Sequence, residues 1–454
     1  MNVFLKNKRL PAVTANVLAL ITVGIPVLAM AQASTPAPTA TDSVWERDKL
    51  TGDWGGLRSD LGKHGIEIDL KLSQFYQEVT SGGVDSSNGG EHGTLLDTWV
   101  NLDMSKLFGT WDGFYVSGHV QSREGNDVSA DAGGLALSNA ALLYPLPGDY
   151  DGTQVTSLYA TQMLFDGKAA VLGGKLGSFD VLEGLFPQGL VSHGTEGFMN
   201  ANSIMSIFSW GRWLTLSQYG VAGWTYAHGM PSSGFIVAGH DNTSDSWDMS
   251  DSFSDGVGIM LFHRFVYNTE KLGYVYVGGG GSTKDYASTD PIDWGINPLS
   301  RLINEDGSPV LLKEKKPWDL AVYLYQVLWQ EQGGKASGTG RRVQMFVGGS
   351  VGDDNPSFAD WDVFANVQAF GVFESRPDDR MGFAAHYYHM ADDFVDLGDA
   401  FGENLSEDVW TTELYYNYEI NPWLHLTPNV QYNQNDNDDD DPAVIVGGRL
   451  VIDF

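Results

Sequence analysis

The sequence predicts an all-β fold, a transmembrane antiparallel β-barrel of about sixteen strands. Three observations point there. Apolar and polar residues alternate with a period of two along most of the chain, no apolar run beyond the first 33 residues approaches the ~20 residues a membrane helix needs, and short connections alternate with long ones. An even strand number with tight turns at one end and long loops at the other is the pattern of bacterial outer-membrane barrels, whose closure leaves no strand edge unpaired in lipid.

Composition removes several other classes. The 454 residues include no cysteine, so disulfide frameworks, thiolate metal sites and a cysteine nucleophile are absent. A net charge of −32 excludes nucleic acid as a partner, since its binders need a basic surface. The 14 Trp, 19 Tyr and 22 Phe are too many for a disordered acidic chain.

Residues 1–33 have the parts of a signal peptide: Lys6, Lys8 and Arg9, an apolar stretch from Pro11 to Met30, and the small-x-small site Ala31-Gln32-Ala33. Residues 34–65 are predicted to form a periplasmic N-terminal segment, beginning as a Pro/Ala/Thr spacer and ending in TGDWGGLRSDLGKHG. Within it Trp54 is expected to anchor by packing and Arg58 to pair with a nearby acid such as Asp53. The barrel follows over 66–454.

Its first strand sets the pattern: Ile66, Ile68, Leu70 and Leu72 alternate with Glu67, Asp69, Lys71 and Ser73. The same period places strands at 66–78, 94–104, 112–123, 155–164, 169–178, 214–227, 233–241 and 256–267. The second half adds 272–282, 318–330, 341–351, 360–372, 381–390, 408–419, 423–433 and 442–454. In 360–372, Val363, Ala365 and Val367 oppose Asp362, Phe364, Asn366 and Gln368; in the last strand Val444, Val446, Leu450 and Ile452 oppose Arg449 and Asp453. Alternation alone does not separate a soluble sandwich from a barrel whose apolar face meets lipid. The leader, the strand count and aromatics near strand ends (Trp99, Trp111, Tyr267, Trp318, Tyr415, Tyr418, Trp423) favour the barrel and its interfacial girdles.

The opening TGDWGGLRSDLGKHGIEIDL resembles the N-terminal signature of the carbohydrate-selective porins, the glucose porin family of Gram-negative outer membranes. The tail is similar too, with ELYYNYEINPWLHLTPNVQY (413–432) and GGRLVIDF, and so are LDMSKLFGTWDG (102–113) and VLGGKLGSFD (171–180) leading to FMN (198–200). The resemblance implies a sixteen-stranded outer-membrane porin that passes small sugars by passive diffusion and has an inward-folded third extracellular loop. It implies lipid and lipopolysaccharide as surroundings, a monomer or a trimer, and no enzymatic activity.

That loop is independently visible as 179–213. Such length without strands is usually functional, and Leu182, Leu185, Phe186, Phe198, Ile204 and Ile207 need a surface to pack on. The barrel interior offers one; the outer rim is the alternative. Its Asp180, Glu183, His193, Glu196, Asn200 and Asn202 are then expected to face the lumen. A sugar presents hydroxyls and apolar C–H faces, so a constriction needs polar side chains beside aromatic platforms. Candidates on polar strand faces are Arg123, Lys175, Arg342, Gln344, Asn366, Gln368, Glu413, His425, Asn429, Gln431 and Arg449, each with a structural ion pair as the plainer reading. Lys175 is singled out, with Glu183 and Glu196 as counterparts; Phe198, Trp210, Trp213 or Phe364 are the candidate platforms.

No cofactor is expected. The run NDNDDDD (435–441) could hold divalent cations at the surface, bridging lipopolysaccharide, although it lacks fixed ligand spacing. His386 and His389, three apart on a strand, fall on opposite faces and cannot share a metal. A cation-preferring general porin is the near alternative and an exported polysaccharide hydrolase the remote one, since no carboxylate pair, G-x-S-x-G or H-E-x-x-H motif stands out.

Overall fold

Strand alternation closes on itself in the computed structural model, which describes residues 43–109, 111–133, 135–143, 151–212, 214–294, 314–331 and 340–454. The predicted leader, the start of the 34–65 segment and Trp213 lie outside them. Sixteen antiparallel strands form the barrel: β1 (Ile66–Ser81), β2 (Gly90–Asp103), β3 (Phe114–Gly125), β4 (Gly152–Leu164), β5 (Ala169–Gly177), β6 (Ser217–Ala227), β7 (Met230–Gly239) and β8 (Val257–Asn268). The circle continues through β9 (Gly273–Ser282), β10 (Trp318–Gln330), β11 (Arg342–Gly352), β12 (Ala359–Phe370), β13 (Arg380–Met390), β14 (Asp408–Asn421), β15 (Leu424–Asn433) and β16 (Ala443–Asp453). Each strand pairs with its sequence neighbours, and β1 pairs with β16 from Lys71↔Asp453 to Ser81↔Val444. A separate two-residue ladder, Tyr286↔Lys315 and Ala287↔Glu314, lies in the fifth long connection.

All sixteen predicted strands are present. The largest shift is at β2, predicted from 94 but starting at Gly90; β7, predicted from 233, starts at Met230, because the turn before it is only His228-Gly229. Both turn residues have positive φ (54° and 76°), as a two-residue hairpin requires, and Pro231 is tolerated beside the strand start.

The faces sort as the alternation predicts. Val363, Leu320, Leu414, Leu426 and Val446 are exposed on the outside, where lipid takes the place of water, and Trp111, Tyr267, Trp318 and Tyr418 are exposed near strand ends. Three of the predicted girdle residues are elsewhere: Trp99 lines the barrel interior, Tyr415 is buried inside the barrel, and Trp423 stacks on Trp45 at 6.0 Å.

The inner face departs from a uniformly polar channel wall. Tyr274, Tyr276, Tyr323, Tyr325, Phe346 and Phe364, from β9 to β12, are all buried and form an aromatic wall inside one side of the barrel. Ring contacts run between Tyr276 and Tyr323 (5.7 Å) and between Phe346 and Phe364 (5.2 Å). These rings supply the apolar surface that an inward loop needs.

The segment before β1 is tied to the short-turn end of the barrel. Its helix α1 (Leu57–Lys63) begins after Gly56, in a left-handed conformation (φ 101°) open to glycine. Arg58 lies over the Trp54 ring (4.3 Å) and donates to the carbonyl of Phe454 at 2.6 Å. Asp53 instead accepts from the backbone N–H and hydroxyl of Ser59, so the expected Arg58–Asp53 pair is replaced by a clasp on the last residue of the chain. Leu50 N–H donates to Asp453 and Trp423 Nε1 donates to the carbonyl of Val44.

Candidate functional site

Loop 3, the connection from β5 to β6, builds the site. It opens with α2 (Ser178–Leu185), then passes through a series of turns and bends to α3 (Ala201–Ile204) and α4 (Ile207–Gly211). Leu182, Leu185, Phe186 and Ile204 are buried against the aromatic wall, Phe186 lying 5.0 Å from Tyr276 and 5.6 Å from Phe346 between ring centroids. Trp210 adds a hydrogen bond to the Tyr323 hydroxyl (3.0 Å). The loop is therefore inside the barrel.

Backbone polar groups buried in this way need partners, and inward side chains of the wall supply them. Arg342 and Gln344 donate to the Gln188 carbonyl (3.2 and 3.1 Å), and Arg264 to that of Leu185. The Glu413 carboxylate accepts the N–H groups of Met199 and Asn200 (2.7 and 2.9 Å). Arg449, 0 % exposed, donates to the carbonyls of Gly194 and Gly197, and Asn366 to that of Ile204. His386 is inward and pairs with Asp362 and the Asn202 carbonyl, while His389 pairs with Asp360 near Trp361.

The remaining sequence candidates separate into two groups. Asn200 and Asn202 are wholly buried, with Asn200 Nδ2 donating to Ala136, Gln431 and Asn433 and Asn202 Nδ2 donating to Leu135. Phe198 packs edge-on against Tyr415 at 5.0 Å, and Arg123 is buried on β3. Lys175 meets neither expected counterpart; its ammonium donates to the Ser246 carbonyl (2.8 Å) and lies 5.0 Å from the Trp247 ring centroid. By contrast Asp180, Glu183 and Glu196 lie together, toward the short-turn end.

There a cavity of about 390 Å³ opens, within the ~300–1,000 Å³ range of small-molecule sites. Its wall includes Lys49, Asp69, Lys71, Trp99, Glu183, His193, Glu196 and Asp453. A neighbouring cavity of about 210 Å³ shares Thr195, Glu196 and Asp453 and adds Arg380, Glu419 and His425. Glu196 stands between the two. Its Oε1 accepts from Lys71 at 2.5 Å and its Oε2 from Arg380 at 2.9 Å, and those two cations hold the carboxyl well below the usual glutamate range.

Comparison with known proteins decides the family. The sequence profile of the carbohydrate-selective porin, OprB family matches residues 87–454. The chain belongs to that family. It is similar to Porin B of Pseudomonas aeruginosa, 23 % identical over 441 residues that cover 89 % of this chain and 91 % of the relative. Among solved structures, OprB of Pseudomonas putida at high pH has a TM-score of 0.72 at 18 % identity, covering 91 % of this chain and 100 % of that one. The same protein at low pH gives 0.54 at 17 %, covering 90 % and 99 %.

The porin is thus an outer-membrane barrel of Gram-negative type with small carbohydrates as permeants, and its family and fold are those of a channel. The family match begins at 87, after the TGDWGGLRSDLGKHG motif, and runs through 220–400, where the motifs quoted above are silent. Sequence reasoning missed Lys71, Trp99 and Arg380. Lys71 was marked by its polar-face parity with Asp69 and Ser73. Trp99 looked like a girdle residue, but shares an inward parity with Asp97 and stacks on His119 at 4.4 Å. Arg380 fell one residue before the predicted strand 381–390, although β13 begins on it.

Proposed function

We propose that small neutral sugars diffuse passively through this porin and are selected at the two joined cavities beside loop 3. Lys71, Glu196 and Arg380 act as the polar ring, and Trp99 is the apolar platform. The observation that carries the reading is Glu196 bridging Lys71 and Arg380 at the junction of the two cavities. Paired charges there offer donors and acceptors to hydroxyl groups while presenting little net charge. Each contact is weak enough for the permeant to leave, as conduction requires. Arg342, Arg449, Asn200 and Asn202 support the ring by holding the loop, and Lys175 and Arg123 serve the wall outside it. No bond is made or broken in the passage.

Liposome swelling with mono-, di- and trisaccharides beside amino acids of similar size tests the reading. Faster entry of the sugars is the expected result; equal rates would remove the sugar site. A general cation-preferring channel is favoured by the net charge of −32 and by Asp69, Glu183, Glu419 and Asp453 around the cavities. Single-channel current separates the two, because millimolar glucose should block a sugar-selective pore and leave a general one unchanged.

A further inference from the structure

The wall of the larger cavity carries a cluster of histidines and carboxylates that sugar passage does not require. His119, buried on β3, places Nδ1 3.0 Å from Asp180 Oδ1 and Nε2 3.0 Å from Asp97 Oδ1. His193, in loop 3, places Nε2 3.1 Å from the same Asp180 oxygen and Nδ1 3.3 Å from Glu183 Oε2. The other Asp180 oxygen accepts from the Ser157 hydroxyl. Each imidazole therefore has a carboxylate at both of its nitrogens.

A neutral imidazole has one N–H, so it satisfies one carboxylate and turns a lone pair toward the other. With the N–H groups given to Asp97 and Glu183, the lone pairs of His119 Nδ1 and His193 Nε2 converge with the Asp180 carboxylate. Those three groups repel one another unless ring protons or a metal cation lie among them. The donor atoms lie within 4.8 Å of one another, and the N···O separations of 3.0 and 3.1 Å approach the edge of a tetrahedron built on metal bonds of ~2.0–2.1 Å. Asp97 and Glu183 stand where outer carboxylates fix the tautomer of metal-bound histidines and raise their basicity.

We propose that the porin binds one divalent cation of the zinc class at His119, Asp180 and His193. Two imidazoles and a carboxylate suit zinc, nickel or copper, whereas calcium and magnesium prefer shells made only of oxygen. His193 and Glu183 line the cavity, so a water or a solute hydroxyl can reach the fourth position. The cation ties loop 3 to β3, since Asp180 and His193 belong to the loop and His119 to the wall. This site is independent of which solute crosses the pore.

The test uses the full barrel in detergent, stripped with chelator and titrated with zinc by calorimetry and with cobalt by visible absorption. One zinc per chain is expected, with intense tetrahedral cobalt bands that zinc displaces. Both signals should vanish in His193→Ala and His119→Gln, and Glu183→Gln should weaken binding about 10- to 100-fold. The cobalt bands distinguish this site from loose binding to surface carboxylates. Heat modifiability on a gel verifies the barrel; should His119→Gln fail it, His193→Ala, which alters only the loop, carries the test. Absence of tetrahedral bands in the wild type, or zinc binding unchanged in His193→Ala, would overturn the proposal and leave two imidazolium rings held among three carboxylates.

Discussion

Glu196 receives Lys71 on one oxygen and Arg380 on the other, so its removal should act on permeation before it acts on folding. Glu196→Gln is expected to weaken sugar block of single-channel current about tenfold, equivalent to ~1.4 kcal/mol and typical of one charge-assisted hydrogen bond. The gel shift on heating should hardly move, because the side chain is partly exposed and such pairs contribute little to stability. Block as strong as in the wild type would place the selective ring elsewhere. The two cations depress the Glu196 pKa, so its stabilising contribution is complete above the ordinary value and is lost only as pH falls through the depressed one. Sugar block should accordingly persist as pH is lowered through about 4.3, the usual glutamate midpoint. Glu413 is the opposite case. Glu413→Ala leaves two buried N–H groups, of Met199 and Asn200, without their acceptor, at about 1–3 kcal/mol each, and should lower the heat-modifiability midpoint and make the current noisy. A quiet current at the wild-type midpoint would deny the anchor. The wall arginines were legible from strand parity, but their partners were not: Arg449 and Gly197 are 252 positions apart, and a carbonyl has no signature in the sequence.

At the scale of elements, the strands were legible and the use of their inner face was not. Period-two patterning reports that two faces differ, and Tyr274, Tyr276, Tyr323 and Tyr325 satisfy it while forming an apolar wall, since a tyrosine counts for either side. Loop 3 was legible by its length and its leucines and phenylalanines. What they dock on required the closed barrel, because the wall is drawn from β9 to β12 and the loop from between β5 and β6. Phe186 is wholly buried between them. Phe186→Ala should destabilise the docked loop by about 3–5 kcal/mol, the usual cost of emptying a buried phenylalanine site. Ionic conductance should rise and discrimination between sugars and amino acids should fall in the same variant. Unchanged conductance with a lowered midpoint would mean that the loop holds its place without the ring.

For the whole molecule, closure joins the first strand to the last along Lys71↔Asp453 to Ser81↔Val444, and loop 3 depends on the same completion. Its residues are made before position 213, yet the carboxylate and guanidinium that fix its central stretch sit at 413 and 449, on β14 and β16. A chain that lacks 443–454 should therefore present loop 3 to added protease in membranes, while the full chain protects it; equal protection would mean that the loop docks without its late anchors. The last strand thus serves twice, sealing the seam against β1 and bringing Arg449 to the carbonyls of loop 3. Watertightness and selectivity therefore share a part: the strand that shuts the wall also helps to hold the loop that narrows it.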